Sequence, residues 1–205
     1  MTENHDTSQT VYIVDDDPAI QIAMQALLES VELRHEIFAS ADDFLQDEEQ
    51  HRSGCLVLDI RMPGLGGLEL QDELIKRGSA LPIIFITGHG DVPMAVEAMQ
   101  KGAVDFIQKP FRDQELLDRI QDALLTDRER RKIRQQEEKV AGRLQRLTKR
   151  EREVFDLVVT GKPNKVIAYD LDVSQRTVEI HRARVMEKME ARSLADLVRM
   201  HTSLQ

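Results

Sequence analysis

A single cysteine and the lack of any long hydrophobic run set the first limits on this 205-residue chain. Cys55 alone cannot close an intrachain disulfide or build a cysteine-based metal cluster; at the head of the run Cys55-Leu56-Val57-Leu58 it reads as a buried structural residue. No segment approaches the roughly 20 apolar residues of a bilayer-spanning helix, and Met1 to Thr10 is polar, without the apolar core of a secretory signal. The expectation is a soluble, cytoplasmic protein with no membrane partner. Hydrophobic residues make up 41% and charged residues 32%, enough apolar side chains for packed cores, and the length suits two compact domains.

The net charge of −9 conceals a division. Residues 1–125 hold 9 Lys and Arg against 24 Asp and Glu, a net of −15, while residues 126–205 hold 19 against 13, a net of +6. An acidic half joined to a basic half suits a metal-binding module fused to one that binds a polyanion.

The acidic half alternates short β-branched and aromatic runs with helical patterns. Val11–Val14, His35–Phe38, Cys55–Leu58, Ile83–Ile86 and Val104–Ile107 read as strands; 18–31, 41–49, 66–77, 91–101 and a stretch from Asp113 read as helices. The implied fold is a doubly wound α/β domain with a five-stranded parallel sheet, whose ligands sit beyond the carboxyl ends of its strands. Those ends carry Asp15, Asp16 and Asp17, then Asp59, then Thr87, then Lys109. Gathered at one edge, the carboxylates repel one another unless a divalent cation sits among them, and an all-oxygen set suits hard Mg2+ better than zinc. Beside such an ion Asp59 can act as a nucleophile toward a phosphoryl group, with Lys109 and Thr87 on its other oxygens. Asp17, ahead of Pro18, fits a helix cap better than a metal ligand, and His89 fits a loop residue.

Four segments, Val14-Asp-Asp-Asp17, Leu58-Asp-Ile-Arg-Met-Pro-Gly64, Ile86-Thr-Gly-His-Gly90 and Asp105-Phe-Ile-Gln-Lys-Pro-Phe111, make residues 11–125 resemble the receiver domain of two-component response regulators. The resemblance implies Asp59 as the phosphorylated residue and Asp15, Asp16, Asp59 and the backbone carbonyl of Arg61 as metal ligands. It also implies Thr87 and Phe106 as the switch pair, Lys109 as the phosphate-pairing lysine, and a cis Lys109-Pro110 bond. When phosphate draws Thr87 inward, Phe106 turns in behind it, and the surface altered runs over Asp91 to Gln108. Val92, Val96, Met99 and Val104 are the candidate dimerisation residues there, with core packing as the other reading for each.

In the basic half four helical stretches follow one another without a strand. Thr148 and Glu151 fit a capping box; a short helix near 165–171, a turn at Asp172-Val173, a cap at Ser174 and a long helix over 175–189 form a helix-turn-helix pattern, with Ser193 capping the last helix. Leu147-Thr-Lys-Arg-Glu-Arg-Glu153, Gly161-Lys-Pro-Asn-Lys165 and Ser174-Gln-Arg-Thr-Val-Glu-Ile-His-Arg-Ala-Arg184 make residues 146–205 resemble the LuxR-type helix-turn-helix, departing from it in having Asp172 where such turns commonly have Gly. With Val178, Val185 and Met189 spaced to pack inward, Glu179, Ile180 and Ala183 are candidates for base edges. Lys165, Arg176, Thr177 and Lys188 are candidates for phosphates, and Arg182 and Arg184 add cations.

Both resemblances together make the chain similar to FixJ-like response regulators: a disordered start over 1–10, a receiver over 11–125, a helical linker over 126–145 and a DNA-binding domain over 146–205. The linker runs from Asp127 to Lys139 with one large apolar residue, Ile133, and neither Gly nor Pro. It is either a solvated charged helix or a dimerising coiled coil, and Leu194, Leu197 and Val198 of the last helix are either core or a pairing surface. The expected activity is phosphorylation of Asp59 by a sensor histidine kinase, leading to homodimerisation and promoter binding that regulates, and more specifically activates, transcription. The protein is no enzyme beyond its own phosphotransfer, and RNA polymerase is a further candidate partner. The rival reading is a phosphate relay or sink whose basic domain only anchors it. A constitutive DNA-binding protein with a decayed receiver is disfavoured, since every receiver position is present.

Overall fold

The computed structural model describes residues 9–47, 52–88 and 92–204. The chain divides into two compact units, Met1–Arg130 and Arg131–Gln205. In the first, strands β1 (Thr10–Val14), β2 (His35–Phe38), β3 (Gly54–Asp59), β4 (Ile83–Thr87) and β5 (Asp105–Gln108) form one parallel sheet in the order β2-β1-β3-β4-β5. Helices α1 (Pro18–Ser30), α2 (Ala41–Gln46), α3 (Gly67–Lys76) and α4 (Val92–Gln100) connect them, and α5 begins at Asp113.

Strand side chains alternate between two buried faces. Val11 and Ile13, Cys55 and Val57, and Ile84 and Ile86 pack with Met24 and Leu28 of α1 and Leu116, Ile120 and Ala123 of α5. Tyr12 and Val14, Leu56 and Leu58, and Ile83 and Phe85 pack with Phe44 of α2, Leu70 and Leu74 of α3 and Ala98 of α4. Burial on both faces is why these strands are continuous apolar runs, each large side chain contributing about 1.5–3 kcal/mol. In β1, β3 and β4 the charged and threonine side chains, Thr10, Asp59 and Thr87, are thereby confined to the strand ends. Burial also pushes the Cys55 thiol above its ordinary range, which makes it an inert core group.

The amino-terminal edge corrects the expectation of disorder through residue 10. Thr10 is the first residue of β1, and the Gln9 amide donates to the Leu124 carbonyl at 2.9 Å and to Asp127 at 3.0 Å. Asp127 of α5, buried, also accepts from the backbone N–H of Gly54 at 2.9 Å and from the Ser53 hydroxyl at 3.3 Å. Gly54 has φ 129°, and a Cβ there would lie 1.8 Å from the Thr10 carbonyl oxygen, so only glycine can open β3 at this point. The α2 reading to residue 49 and the α4 reading from Asp91 end in positions outside the described residues, as do Met1 to Ser8 and His89.

In the second unit the end of α5 packs with α6 (Lys149–Val159), α7 (Asn164–Asp170), α8 (Gln175–Lys188) and α9 (Leu194–Thr202). α5 as a whole spans Asp113–Gln145, covering the stretch read as a helical linker. Val140 and Leu144 are buried in the core of this unit, with Phe155, Val158, Ile167, Val178, Val185, Met189 and Leu197, while Ile133 is 60% exposed. Of the α9 apolar residues, Leu197 is core and Leu194 and Val198 reach the surface. Helix starts are fixed locally: Thr148 and Glu151 form a complete capping box, and the Ser174 and Ser193 hydroxyls accept from the amides of Thr177 and Asp196. The α7–α8 turn takes Asp172 at φ 53°, a left-handed conformation that Asp tolerates better than most residues, closed by Val173 N–H donating to the Ala168 carbonyl at 3.0 Å.

Candidate functional site

The order β2-β1-β3-β4-β5 reverses its direction of growth between β1 and β3, and side chains beyond their carboxyl ends share one crevice. The Lys109 ammonium lies in it, 2.9 Å from Asp15 Oδ2 and 2.8 Å from Asp59 Oδ2. Asp15 is fully buried; its Oδ1 accepts from the Asp17 amide at 2.9 Å, and its carbonyl accepts from the Gln21 side chain at 2.6 Å. Asp59 accepts from the Arg61 amide at 3.2 Å, which places Arg61 on the turn directly after β3. Gly67 lets that turn close: a Cβ there would lie 2.3 Å from the Asp59 carbonyl oxygen. Thr87 ends β4, buried, with its hydroxyl donating to the Gly88 carbonyl at 3.0 Å, and its own carbonyl accepts from the Lys109 amide at 2.8 Å. The Lys109-Pro110 bond is cis.

Desolvation pushes the Asp15 carboxyl above its ordinary pKa, opposed by the Asp17 amide and by Lys109. Burial pulls Lys109 down, but its bonds to Asp59 and Asp15 outweigh that and leave its pKa raised, so it holds its proton between the two carboxylates. Asp15, Asp16 and Asp59 each present an oxygen within 4.8 Å of the others, three carboxylates against one ammonium. The excess negative charge and the purely oxygen donors fit a hard divalent cation. Asp17 caps α1 through the Ala19 amide at 2.8 Å and is spent there.

Phe106, opposite Phe85 in the β4–β5 register, is 41% exposed and so turned out of the crevice. On α4 the alanines Ala95 and Ala98 face the core, which leaves Val96 and Met99 at the surface; Val104 is half-buried, and the Val92 side chain lies outside the described residues.

In the helical unit, Arg176, Glu179, Ile180, Ala183 and Arg184 are exposed on α8, and Lys165 is exposed on α7. None of Lys165, Arg176 and Arg184 has a carboxylate partner among the described residues. Thr177 is half-buried, its hydroxyl 2.8 Å from that of Ser174. Two of the expected DNA contacts are instead engaged inside the unit. Lys188 donates to Glu151 at 2.6 Å and to the Arg146 carbonyl at 3.2 Å, and Arg182 donates to Asn164 at 2.9 Å. Spacing on one helix gave no signal of either partner, because both partners lie on other helices.

Residues 11–121 match the family model for the response regulator receiver domain, and residues 145–201 match that for bacterial regulatory proteins of the luxR family. The chain belongs to the response-regulator family. It is 47% identical over 198 residues to nodulation protein W of Bradyrhizobium diazoefficiens, covering 97% of this chain and 87% of that one. It is also 47% identical over 194 residues to the transcriptional regulatory protein FixJ of Rhizobium meliloti, covering 95% of each. Among solved structures, the response regulator StyR matches with a TM-score of 0.86 at 42% identity, over 95% of this chain and 98% of that one. This response regulator therefore joins a receiver to a LuxR-type DNA-binding domain, and the two surfaces of interest are the acidic pocket of the first and the exposed outer face of α8 in the second.

Proposed function

We propose that this response regulator accepts a phosphoryl group on Asp59 from a sensor histidine kinase and, so modified, dimerises and binds promoter DNA to activate transcription. The observation that carries the reading is the Lys109 ammonium shared between Asp15 and Asp59. An Asp59 oxygen attacks phosphorus as the P–N bond of the donor phosphohistidine breaks, and the imidazole leaves with the bonding pair. Lys109 follows the charge, turning from the carboxylate to a phosphoryl oxygen, and the Thr87 hydroxyl leaves the Gly88 carbonyl for another. Mg2+, held by Asp15, Asp16, Asp59 and the Arg61 carbonyl, would neutralise the remaining oxygen charge. Movement of Thr87 opens room for Phe106 to turn inward. That rearranges the surface carrying Val96 and Met99, where the second copy docks.

In the helical unit Glu179, Ile180 and Ala183 face base edges, with Arg176, Thr177, Arg184 and Lys165 on phosphates. The naming of FixJ as a transcriptional regulatory protein supports this over a relay or sink. No helix among the described residues is long and apolar enough to cross a membrane, in keeping with action in the cytoplasm; RNA polymerase is the candidate partner at the promoter.

The test is incubation of the full chain with Mg2+ and acetyl phosphate. The expected product is an alkali-labile phosphoryl adduct on the peptide containing Asp59, with tighter and sequence-selective promoter binding. A labelled Asp59→Ala variant would show the nucleophile misassigned, and binding without sequence preference would favour the relay.

A further inference from the structure

Each residue advances about 100° around an α-helix. On α8 this puts Arg182 nearly opposite Ile180, on the flank next to the buried Val178 and Val185, and not on the outer face. Its half-buried guanidinium donates from Nη1 to Oδ1 of Asn164, the first residue of α7, at 2.9 Å. An arginine has only donors, so the atom that meets it must be the amide oxygen, and the Asn164 amide nitrogen takes no part in that bond. That nitrogen has no hydrogen-bond acceptor among the described residues, and its neighbour is the exposed, unpaired Lys165.

In a helix-turn-helix the first helix crosses the DNA backbone, and asparagine amides and lysines are among the donors that phosphate oxygens accept from. We propose that Asn164 is a DNA-backbone contact, its Nδ2 donating to a phosphate oxygen beside Lys165, and that Arg182 is a positioning residue that orients Asn164. This rests on the DNA-binding reading above. It moves one residue into the interface and takes another out. Arg182 carries a full positive charge, but that charge is spent on fixing which end of a neutral amide faces the nucleic acid.

The experiment measures fluorescence anisotropy of a labelled, mixed-sequence duplex titrated with the full phosphorylated chain across a series of salt concentrations. Asn164→Ala and Arg182→Met each weaken binding about three- to tenfold, the loss expected for one hydrogen bond. Acting through one contact, they are non-additive in the double variant. Neither changes the salt slope, since neither removes a cation from a phosphate, whereas Lys165→Ala lowers it by about one. Asn164→Asp keeps an acceptor for Arg182 and hence the fold, read as an unchanged or higher thermal midpoint, yet it loses the donor and weakens binding. That variant decides the matter if the others fail to fold. Asn164→Asp binding as the wild type does, or an Arg182→Met effect that is additive and lowers the slope by about one, would overturn the proposal. A wild-type chain with no salt-dependent duplex binding would instead overturn the DNA-binding reading itself.

Discussion

In the receiver, Asp15, Asp59 and Lys109 belong to different strand ends, the first and last 94 positions apart, and meet within 2.9 Å. In the helical half, Arg176, Glu179, Ile180, Ala183 and Arg184 sit on one helix, held in place by the burial of Val178, Val185 and Met189 behind them. The first arrangement concentrates charge of both signs at one point, with carboxylates in excess of the single ammonium; the second spreads its cations over an exposed face, where Arg176 and Arg184 have no carboxylate partner among the described residues. A chemical site needs charges that change hands, and a polyanion site needs charges left over. The two halves divide those requirements, and the division is already present in the net charges of −15 and +6.

That contrast can be broken at four places, in descending order of effect. Asp59→Ala removes the nucleophile, and phosphoryl incorporation from acetyl phosphate, followed by mass spectrometry, falls to background. Lys109→Met leaves Asp15 and Asp59 without their shared cation and takes one stabilising donor from the transition state. The phosphorylation rate drops about 100-fold, the typical cost of one such donor.

Glu151→Gln tests the charge pair of the helical half whose carboxylate is buried, Glu151 with Lys188. Lys188, and then the Thr148 amide, hold the Glu151 carboxyl down to about 2 from 4.5. The unfolded chain therefore binds the proton first, so the stability this group adds is complete above about pH 5 and is lost as pH falls through about 2. At neutral pH the variant loses about 1 kcal/mol in urea melts, a modest figure because Lys188 is partly open to solvent, and the difference from wild type closes toward pH 2. Lys165→Ala is the mildest: binding weakens a few-fold across all sequences, with the salt slope reduced by about one, measured by anisotropy.

Elements with a local cause were legible in the sequence. The Thr148–Glu151 box, the Ser174 and Ser193 caps and the left-handed Asp172 need only neighbours within four residues, and all are found in place. The parallel sheet was legible because burial on both faces leaves unbroken apolar runs. The convergence of Asp15, Asp59, Thr87 and Lys109 followed from the common carboxyl edge of such a sheet. What stayed hidden were pairings between elements that no periodicity links. Gln21 supports the Asp15 carbonyl, Asn164 takes Arg182, and Glu151 takes Lys188. In each case sequence spacing gives the type of side chain but not which other element packs beside it.

The carboxylate of Asp127 has a practical bearing on where the receiver can be cut. It is the acceptor for Gln9, Ser53 and Gly54 at the amino-terminal edge of the sheet, six residues beyond the end of the receiver family match at 121. A fragment trimmed to that match strands a buried backbone N–H at the mouth of β3 and frees the lead-in to β1. An isolated receiver keeps its full set of edge bonds only if its last helix is carried past residue 127.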